Sequence, residues 1–348
     1  MVAAVRPADQ LNPMRIAVDA MGGDHAPGRP VDGALAAARY LGLGIDLVGR
    51  SGEINAELQR HPDVESLDVR VIDAPDVIDM SESPAQALRR KPKASIRVAA
   101  ERVASGEAAA LFSAGHTGAC VVAAHAVFGM LPGVDRPALA PTVPTRQGSA
   151  VLLDVGATVA CRPVHLLQFA HMGAVYAKLG LGVARPRIGL LSTGEEATKG
   201  NNLTREAHQL IKASALEFVG NVEARSIFSG DADVIVCDGF TGNVALKLSE
   251  GLVEMVEELL GEELQSTFSS QMGYLLSRRA FRRFRKRVDY SEFGGAPLLG
   301  VAGLCIVGHG RSSVKAVRNA VAMASRMADQ RMVERVRHEM ATCAVTQS

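Results

Sequence analysis

The chain has 348 residues, with 38 Lys and Arg against 37 Asp and Glu, and the resulting net charge of +1 excludes a globally basic nucleic-acid binder. Apolar residues make up 47% of it and aromatics 4%, with no Trp, so the core is aliphatic and suits buried parallel strands covered by helices. The longest apolar runs fall short of the roughly 18 residues a membrane-spanning helix needs, and five widely spaced cysteines without a Cys-x-x-Cys pair fit a reducing cytosol and offer no zinc clip.

In chain order, residues 1–13 read as a disordered leader. From Met14 onward short β-branched or Leu-rich runs alternate with helical patterns, the signature of a mostly parallel sheet flanked by helices. Strands are expected at 15–19, 45–48, 69–73, 109–113, 151–155, 187–192, 217–219, 234–238 and 305–307. Helices are expected at 31–41, 84–105, 165–179, 203–213, 243–265 and 313–332. The reading is a single large α/β domain over 14–335, with a basic helical protrusion near 264–288 and a C-terminal tail at 336–348.

Glycine falls directly after six of these strands: in Asp19-Ala20-Met21-Gly22-Gly23-Asp24, Ser113-Ala114-Gly115-His116-Thr117-Gly118, Asp154-Val155-Gly156, Ser192-Thr193-Gly194, Asp238-Gly239-Phe240-Thr241-Gly242 and Val307-Gly308-His309-Gly310. In a parallel sheet such loops gather at the carboxyl edge, where open α/β folds bind ligands, so the six are expected to line one cleft. Glycine lets a ligand approach the main chain, and the next helix N-terminus offers free N–H groups to an anion, with phosphate the natural guest. Taken singly, a glycine after a strand is also ordinary turn chemistry.

No GxGxxG follows a strand, and Walker, GxSxG and HExxH patterns are missing, so nucleotide binding, serine hydrolysis and zincin chemistry lose their usual support. The nine histidines show no metal-ligand spacing, and no metal is expected. Polar residues at the strand ends are the chemical candidates: Asp19, Asp24, His25, Ser113, Asp154, Lys199, Asp238, Thr241 and Asn243. For Asp154 a structural role, bonding loop amides, is the preferred reading. Lys199, amid glycines and acids, reads as an anion or oxyanion contact. Within 278–287 seven of ten residues are basic, and Leu275, Leu276, Phe281, Phe284 and Val288 recur near helical spacing. Such a helix can lie on anionic lipid, dock an acidic protein or pack as a solvated face; contact residues would be Phe281, Arg282, Arg283, Phe284 and Arg285, with nucleic acid disfavoured.

In order and in register, Ala20-Met21-Gly22-Gly23-Asp24-His25-Ala26-Pro27, Ser113-Ala114-Gly115-x-Thr117-Gly118-Ala119, the segment 194–200, Cys237-Asp238-Gly239-Phe240-Thr241-Gly242-Asn243-Val244 and Gly294-Gly295-Ala296-Pro297-Leu298-Leu299-Gly300 resemble the PlsX family of phosphate acyltransferases. The resemblance implies a fold similar to phosphotransacetylases and isopropylmalate dehydrogenases. It implies transfer of a fatty acyl group from acyl-[acyl carrier protein] to phosphate, giving an acyl phosphate used by a membrane glycerol-3-phosphate acyltransferase in phospholipid synthesis. It also implies a cytoplasmic homodimer at the inner face of the membrane, without metal or organic cofactor. A coenzyme A dependent phosphotransacylase and a non-catalytic membrane- or carrier-binding scaffold stand as alternatives.

On this reading Asp19, Gly22, Gly23, Asp24, His25, Ser113, Gly115, His116, Thr117, Gly118, Thr241 and Gly242 serve substrate or phosphate, and Lys199, Asn243 and Asp238 serve catalysis. The chain departs from the family pattern at His116 and Thr158, where Asn is usual, and at Ala224 and Ser226, where Gly and Asp are. An imidazole at 116 is not expected to copy a carboxamide's paired donor and acceptor.

Overall fold

The computed structural model describes residues 14–288 and 293–346, without the side chains of 285–288 and 344–346; the leader expected at 1–13 lies outside them. Where the sequence reads as one domain, the chain divides into two compact units. One comprises the chain through Val127 together with Cys305–Ala328, the other Phe128–Leu304 and the residues from Asp329 on.

The first unit runs β1 (Arg15–Asp19), α1 (Gly28–Leu41), β2 (Gly44–Gly49), α2 (Ser51–Leu58), β3 (Val69–Asp73), α3 (Pro84–Arg90), α4 (Ser95–Ala104), β4 (Ala110–Ser113) and α5 (Thr117–Phe128). The expected helix 84–105 is thus two helices. Pro92 lies between them, where its missing N–H and fixed ring prevent continuation. The second unit follows with β5 (Ala138–Leu139), β6 (Thr142–Thr145), β7 (Gly148–Leu153), α6 (Pro163–Gly180), β8 (Arg187–Ser192), α7 (Asn202–Lys212), β9 (Glu217–Glu223), β10 (Val234–Val236), α8 (Gly239–Ser266), α9 (Phe268–Val288) and β11 (Ala296–Leu299). The chain then returns to the first unit with β12 (Cys305–Val307) and α10 (Val314–Asp329), and ends in α11 (Met332–Thr346). The C-terminal segment read as a tail is therefore helical to Thr346, with Met332, Val336 and Met340 buried one turn apart.

In the first unit the strands lie in the order β3-β2-β1-β4-β12, all parallel. Ile16, Val18, Ile45, Leu47, Leu111 and Phe112 are buried because helices cover both faces, which is why these strands read as nearly continuous apolar runs. At the amino end Asp46, wholly buried, is held by Arg15 at 2.7 Å and Arg102 at 2.7 Å, so the charge taken out of water keeps two cationic partners. In the second unit the order is β6-β7-β10-β8-β9, parallel except for the edge strand β6. β6 carries Pro144, which an edge tolerates and a central strand would not. Helix α6 lies against this sheet with Leu166, Phe169, Ala170 and Met172 buried, and β5 pairs antiparallel with β11.

Candidate functional site

Of the six glycine loops, those after β1, β4 and β12 belong to the first unit and those after β7, β8 and β10 to the second. In the first unit they converge. Asp19, buried at the end of β1, accepts the Ser113 hydroxyl at 2.7 Å and the Met21 amide at 3.2 Å, and Ser113 Oγ accepts the Gly115 amide at 3.1 Å. Asp24 N–H donates to the Gly310 carbonyl at 2.8 Å, drawing in the loop after β12. Burial pushes the Asp19 carboxyl above its usual range, while the Ser113 and Ser95 hydroxyls and the Met21 amide act in the opposite sense. Gly22 is where the β1 and β4 loops come closest. A Cβ there would stand 2.7 Å from Gly115 N, 2.8 Å from Asp19 Oδ2 and 2.9 Å from Ser113 Oγ.

These loops floor a cavity of about 250 Å³. Of the residues named from the sequence, Asp19, Gly22, Gly23, Asp24, Ser113, Gly115 and His116 line it, whereas His25 is exposed and outside the lining. Thr117 and Gly118 form the first turn of α5. The sequence reading missed the opposite wall, built by Val77, Ile78, Asp79 and Met80 before α3, and by Ser95, Ile96, Ala119 and Cys120. Ser81 donates to Asp79 through its hydroxyl and its amide and holds that carboxyl below the usual range. Burial pushes the Cys120 thiol up to about 12, so it stays protonated and a poor nucleophile at neutral pH. Three carboxylates and no Lys or Arg line the cavity. Val77, Ile78, Met80 and Ile96 make one part of the lining aliphatic.

His116 spends its ring acceptor within its own loop. Its Nδ1 accepts the Gly118 amide at 3.1 Å, which leaves the proton of a neutral ring on Nε2. The imidazole therefore spends its one acceptor on capping α5 and keeps one donor, where a carboxamide carries two N–H donors and a carbonyl oxygen.

In the second unit Asp154, fully buried after β7, accepts amides of Leu139 at 2.8 Å, Ala157 at 3.0 Å and Thr158 at 2.5 Å. Burial pushes its carboxyl up to about 6 despite these donors. Thr158 is buried too, its hydroxyl donating to the Pro137 carbonyl at 2.8 Å. Ala224 and Ser226 lie in a short 3-10 turn, and Ser226 accepts Ser229 through its carbonyl. Asp238 caps α8, accepting the Thr241 amide at 3.0 Å and the Thr241 hydroxyl at 2.7 Å. Thr241 thus spends both donors on Asp238, and Asp238 acts by fixing the helix turn that carries Asn243. Gly242 admits that turn, since a Cβ there would overlap the Asp154 carbonyl. Asn243 is exposed beside Gly156.

Lys199 is exposed in the loop after β8, without an ion-pair partner among the described residues. Asn221 on β9, absent from the sequence reading, anchors this loop. Its Nδ2 donates to the Glu196 carbonyl at 2.8 Å, and its Oδ1 lies 3.0 Å from His208 Nδ1.

The basic protrusion forms α9, preceded by the long α8. Val244, Leu248, Leu252, Met255 and Leu259 of α8 are exposed at helical spacing, as are Phe268, Met272, Leu275, Leu276 and Phe284 of α9. Phe281 packs on Tyr274 with ring centroids 5.4 Å apart, and Arg282 and Arg283 are exposed; the side chains of Arg285 and Val288 lie outside the described residues. No helix among the described residues is long and apolar enough to cross a membrane.

With glycine loops at strand ends, a lined cavity and capped helix starts, the chain belongs to the fatty acid synthesis protein family, whose model matches residues 14–335. It is 52% identical over 311 residues to a phosphate acyltransferase of Geobacter sp. (strain M21), covering 89% of this chain and 88% of that one. It is 50% identical over 329 residues to a phosphate acyltransferase of Geobacter sulfurreducens, covering 94% and 95%. Among solved structures, a phosphotransacetylase from Streptococcus pyogenes aligns with TM-score 0.60 at 16% identity, covering 91% of this chain and 94% of that chain. The EutD phosphotransacetylase from Staphylococcus aureus aligns with TM-score 0.58 at 16% identity over the same shares. The expected likeness to the phosphotransacetylase fold is borne out.

Proposed function

We propose that the chain transfers a fatty acyl group from acyl-[acyl carrier protein] to inorganic phosphate, giving an acyl phosphate for a membrane glycerol-3-phosphate acyltransferase. The reading is carried by 52% identity to a phosphate acyltransferase over 89% of the chain. A phosphate oxygen attacks the thioester carbonyl, the tetrahedral intermediate collapses with cleavage of the C–S bond, and the carrier thiolate leaves to take a proton from solvent. Phosphate is largely dianionic near neutral pH, so positioning and oxyanion stabilisation supply most of the rate, and no protein nucleophile is needed. The protonated Cys120 thiol fits that requirement.

In the loops Gly22-Gly23 and Gly115-His116-Thr117-Gly118, the N–H groups other than those already given to Asp19, Ser113 and His116, together with the His116 Nε2–H, bind phosphate; the wall of Val77, Ile78, Met80 and Ile96 receives hydrocarbon of the substrate. Lys199 and Asn243 polarise carbonyl or phosphate oxygen, Asp238 orients the turn bearing Asn243, and Asp24 orients the β1 loop. The decisive assay incubates the protein with long-chain acyl-[acyl carrier protein] and phosphate and traps acyl phosphate as hydroxamate. Product from acyl-coenzyme A alone would favour the phosphotransacylase alternative, and binding without turnover the scaffold. Lys199→Ala and Asn243→Ala are each expected to lose about 10²-fold in kcat, with the fold intact by circular dichroism; unchanged turnover in both removes the assignment. His116→Asn is expected to stay within a few-fold of the parent, and His116→Leu to lose about 10-fold or more, because only the former keeps the acceptor and the donor.

The exposed stripes of α8 and α9 serve a homodimer, and the arginines of α9 serve an acidic carrier or the anionic inner face of the cell membrane, where a cytoplasmic enzyme meets its consumer. Flotation with anionic liposomes is expected to recover the parent and to lose the variant with Arg282, Arg283 and Arg285 changed to Glu. Equal flotation of both would leave the arginines without a lipid role.

A further inference from the structure

Away from these loops, α6 and α11 bring together three side chains that each carry a metal ligand: a borderline imidazole, a hard carboxylate and a soft thiol. His171 on α6 is buried, and its Nδ1 lies 3.2 Å from Glu339 Oε1 and 3.1 Å from Cys343 Sγ. Glu339 and Cys343 are four apart on α11 and so share one helix face. The three ligand atoms all fall within 4.8 Å of one another.

Both partners meet the same ring nitrogen, and this decides what the cluster can be. Nδ1 has one proton or one lone pair, so hydrogen bonding satisfies one partner and leaves the other facing it unserved. A nucleophilic relay would need the carboxylate on one ring nitrogen and the thiol on the other. A cation between the three atoms serves all of them at once. Bond lengths of about 2.0–2.3 Å to nitrogen, oxygen and sulfur in a tetrahedral site put ligand atoms about 3.3–3.7 Å apart, so the two spacings to Nδ1 need to open by a few tenths of an ångström while Oε1 and Sγ, within 4.8 Å of each other, settle into the same range by side-chain rotation.

We propose that His171, Glu339 and Cys343 form a site for a borderline divalent cation of the zinc class, fastening α11 to α6, with Cys343 bound as thiolate and water in the fourth position. Its role is structural and separate from acyl transfer. The ligands lie 168 and 172 positions apart, so no sequence spacing announces the site.

The test titrates the metal-stripped full-length protein with Co2+. One equivalent is expected to bind with the visible bands of a tetrahedral ion and a near-ultraviolet thiolate-to-cobalt band, displaced by Zn2+. Cys343→Ser is expected to lose the thiolate band, and Glu339→Gln to weaken binding about 10-fold or more. Both sites lie at partly exposed positions on α11, and circular dichroism checks that the variants fold. Zn2+ should raise the Tm of the parent and not that of Cys343→Ser. Failure of the folded parent to give a thiolate band, or persistence of that band in Cys343→Ser, overturns the proposal, the latter by placing the metal on another cysteine.

Discussion

Gly22→Ala is expected to lower acyl phosphate turnover by about 10²-fold or more, the largest functional loss from adding a single methyl group. The added carbon would stand within 2.9 Å of Gly115 N, Asp19 Oδ2 and Ser113 Oγ at once. None of the three is the free end of a flexible side chain. Asp19 and Ser113 are buried and bonded to each other at 2.7 Å, and Gly115 N is backbone. The loop after β4 must therefore move away from that after β1 by several tenths of an ångström, which displaces the N–H groups that hold phosphate. Stability should fall by only about 1–3 kcal/mol, the usual scale of overpacking, so the folded variant can be assayed. Gly28→Ala is the control, since its Cβ would meet only the Glu57 side chain at 3.8 Å or more and turnover should be unchanged.

The largest stability loss is expected at Asp154. Asp154→Ala removes the acceptor of three amides in a buried loop, at a cost of about 3–5 kcal/mol at pH 7, read as a lower urea midpoint at unchanged m-value. The loss should depend on pH with a defined sign. The folded carboxyl titrates at about 6, above the unfolded reference of 3.8, so the folded state holds the proton more tightly. The contribution from this shift is full below the unfolded value and disappears as pH rises through 6. The difference between parent and Asp154→Ala is therefore expected to grow by about 1 kcal/mol from pH 7 to pH 5. A difference that shrinks over that interval contradicts the raised titration.

The strands and the glycine loops were readable because buried parallel strands print as short aliphatic runs with a turn residue at the carboxyl end. The exceptions have physical causes. Helix α5 is Thr-Gly-Ala-Cys-Val-Val-Ala-Ala-His-Ala-Val-Phe, apolar on every side, so no periodic face marks it. β5 has two residues and β6 an internal proline, too little or too irregular a pattern for a strand. Helix α11 did carry a signal, Met332, Val336 and Met340 at four-residue spacing, but it straddles the end of the helix expected at 313–332 and the segment 336–348 read as a tail.

At the site, Asp19, Gly22, Ser113 and Gly115 were legible because strand ends gather in a parallel sheet. The wall at 77–80 was not, since a loop between β3 and α3 has no period and owes its place to tertiary packing. Asn221 was invisible for a similar reason: its work is to hold the loop of Lys199 from a neighbouring strand. The use of His116 Nδ1 was not legible, because the backbone amide it accepts is brought to it by the turn into α5.

The central claim is direct acyl transfer to phosphate, and phosphorus NMR of the reaction with acyl-[acyl carrier protein] and phosphate tests it, with free carrier thiol followed alongside. The account predicts an acyl phosphate resonance that grows in step with thiol, one for one, and requires phosphate. Thiol released without that resonance would mean transfer to water, and would contradict the account.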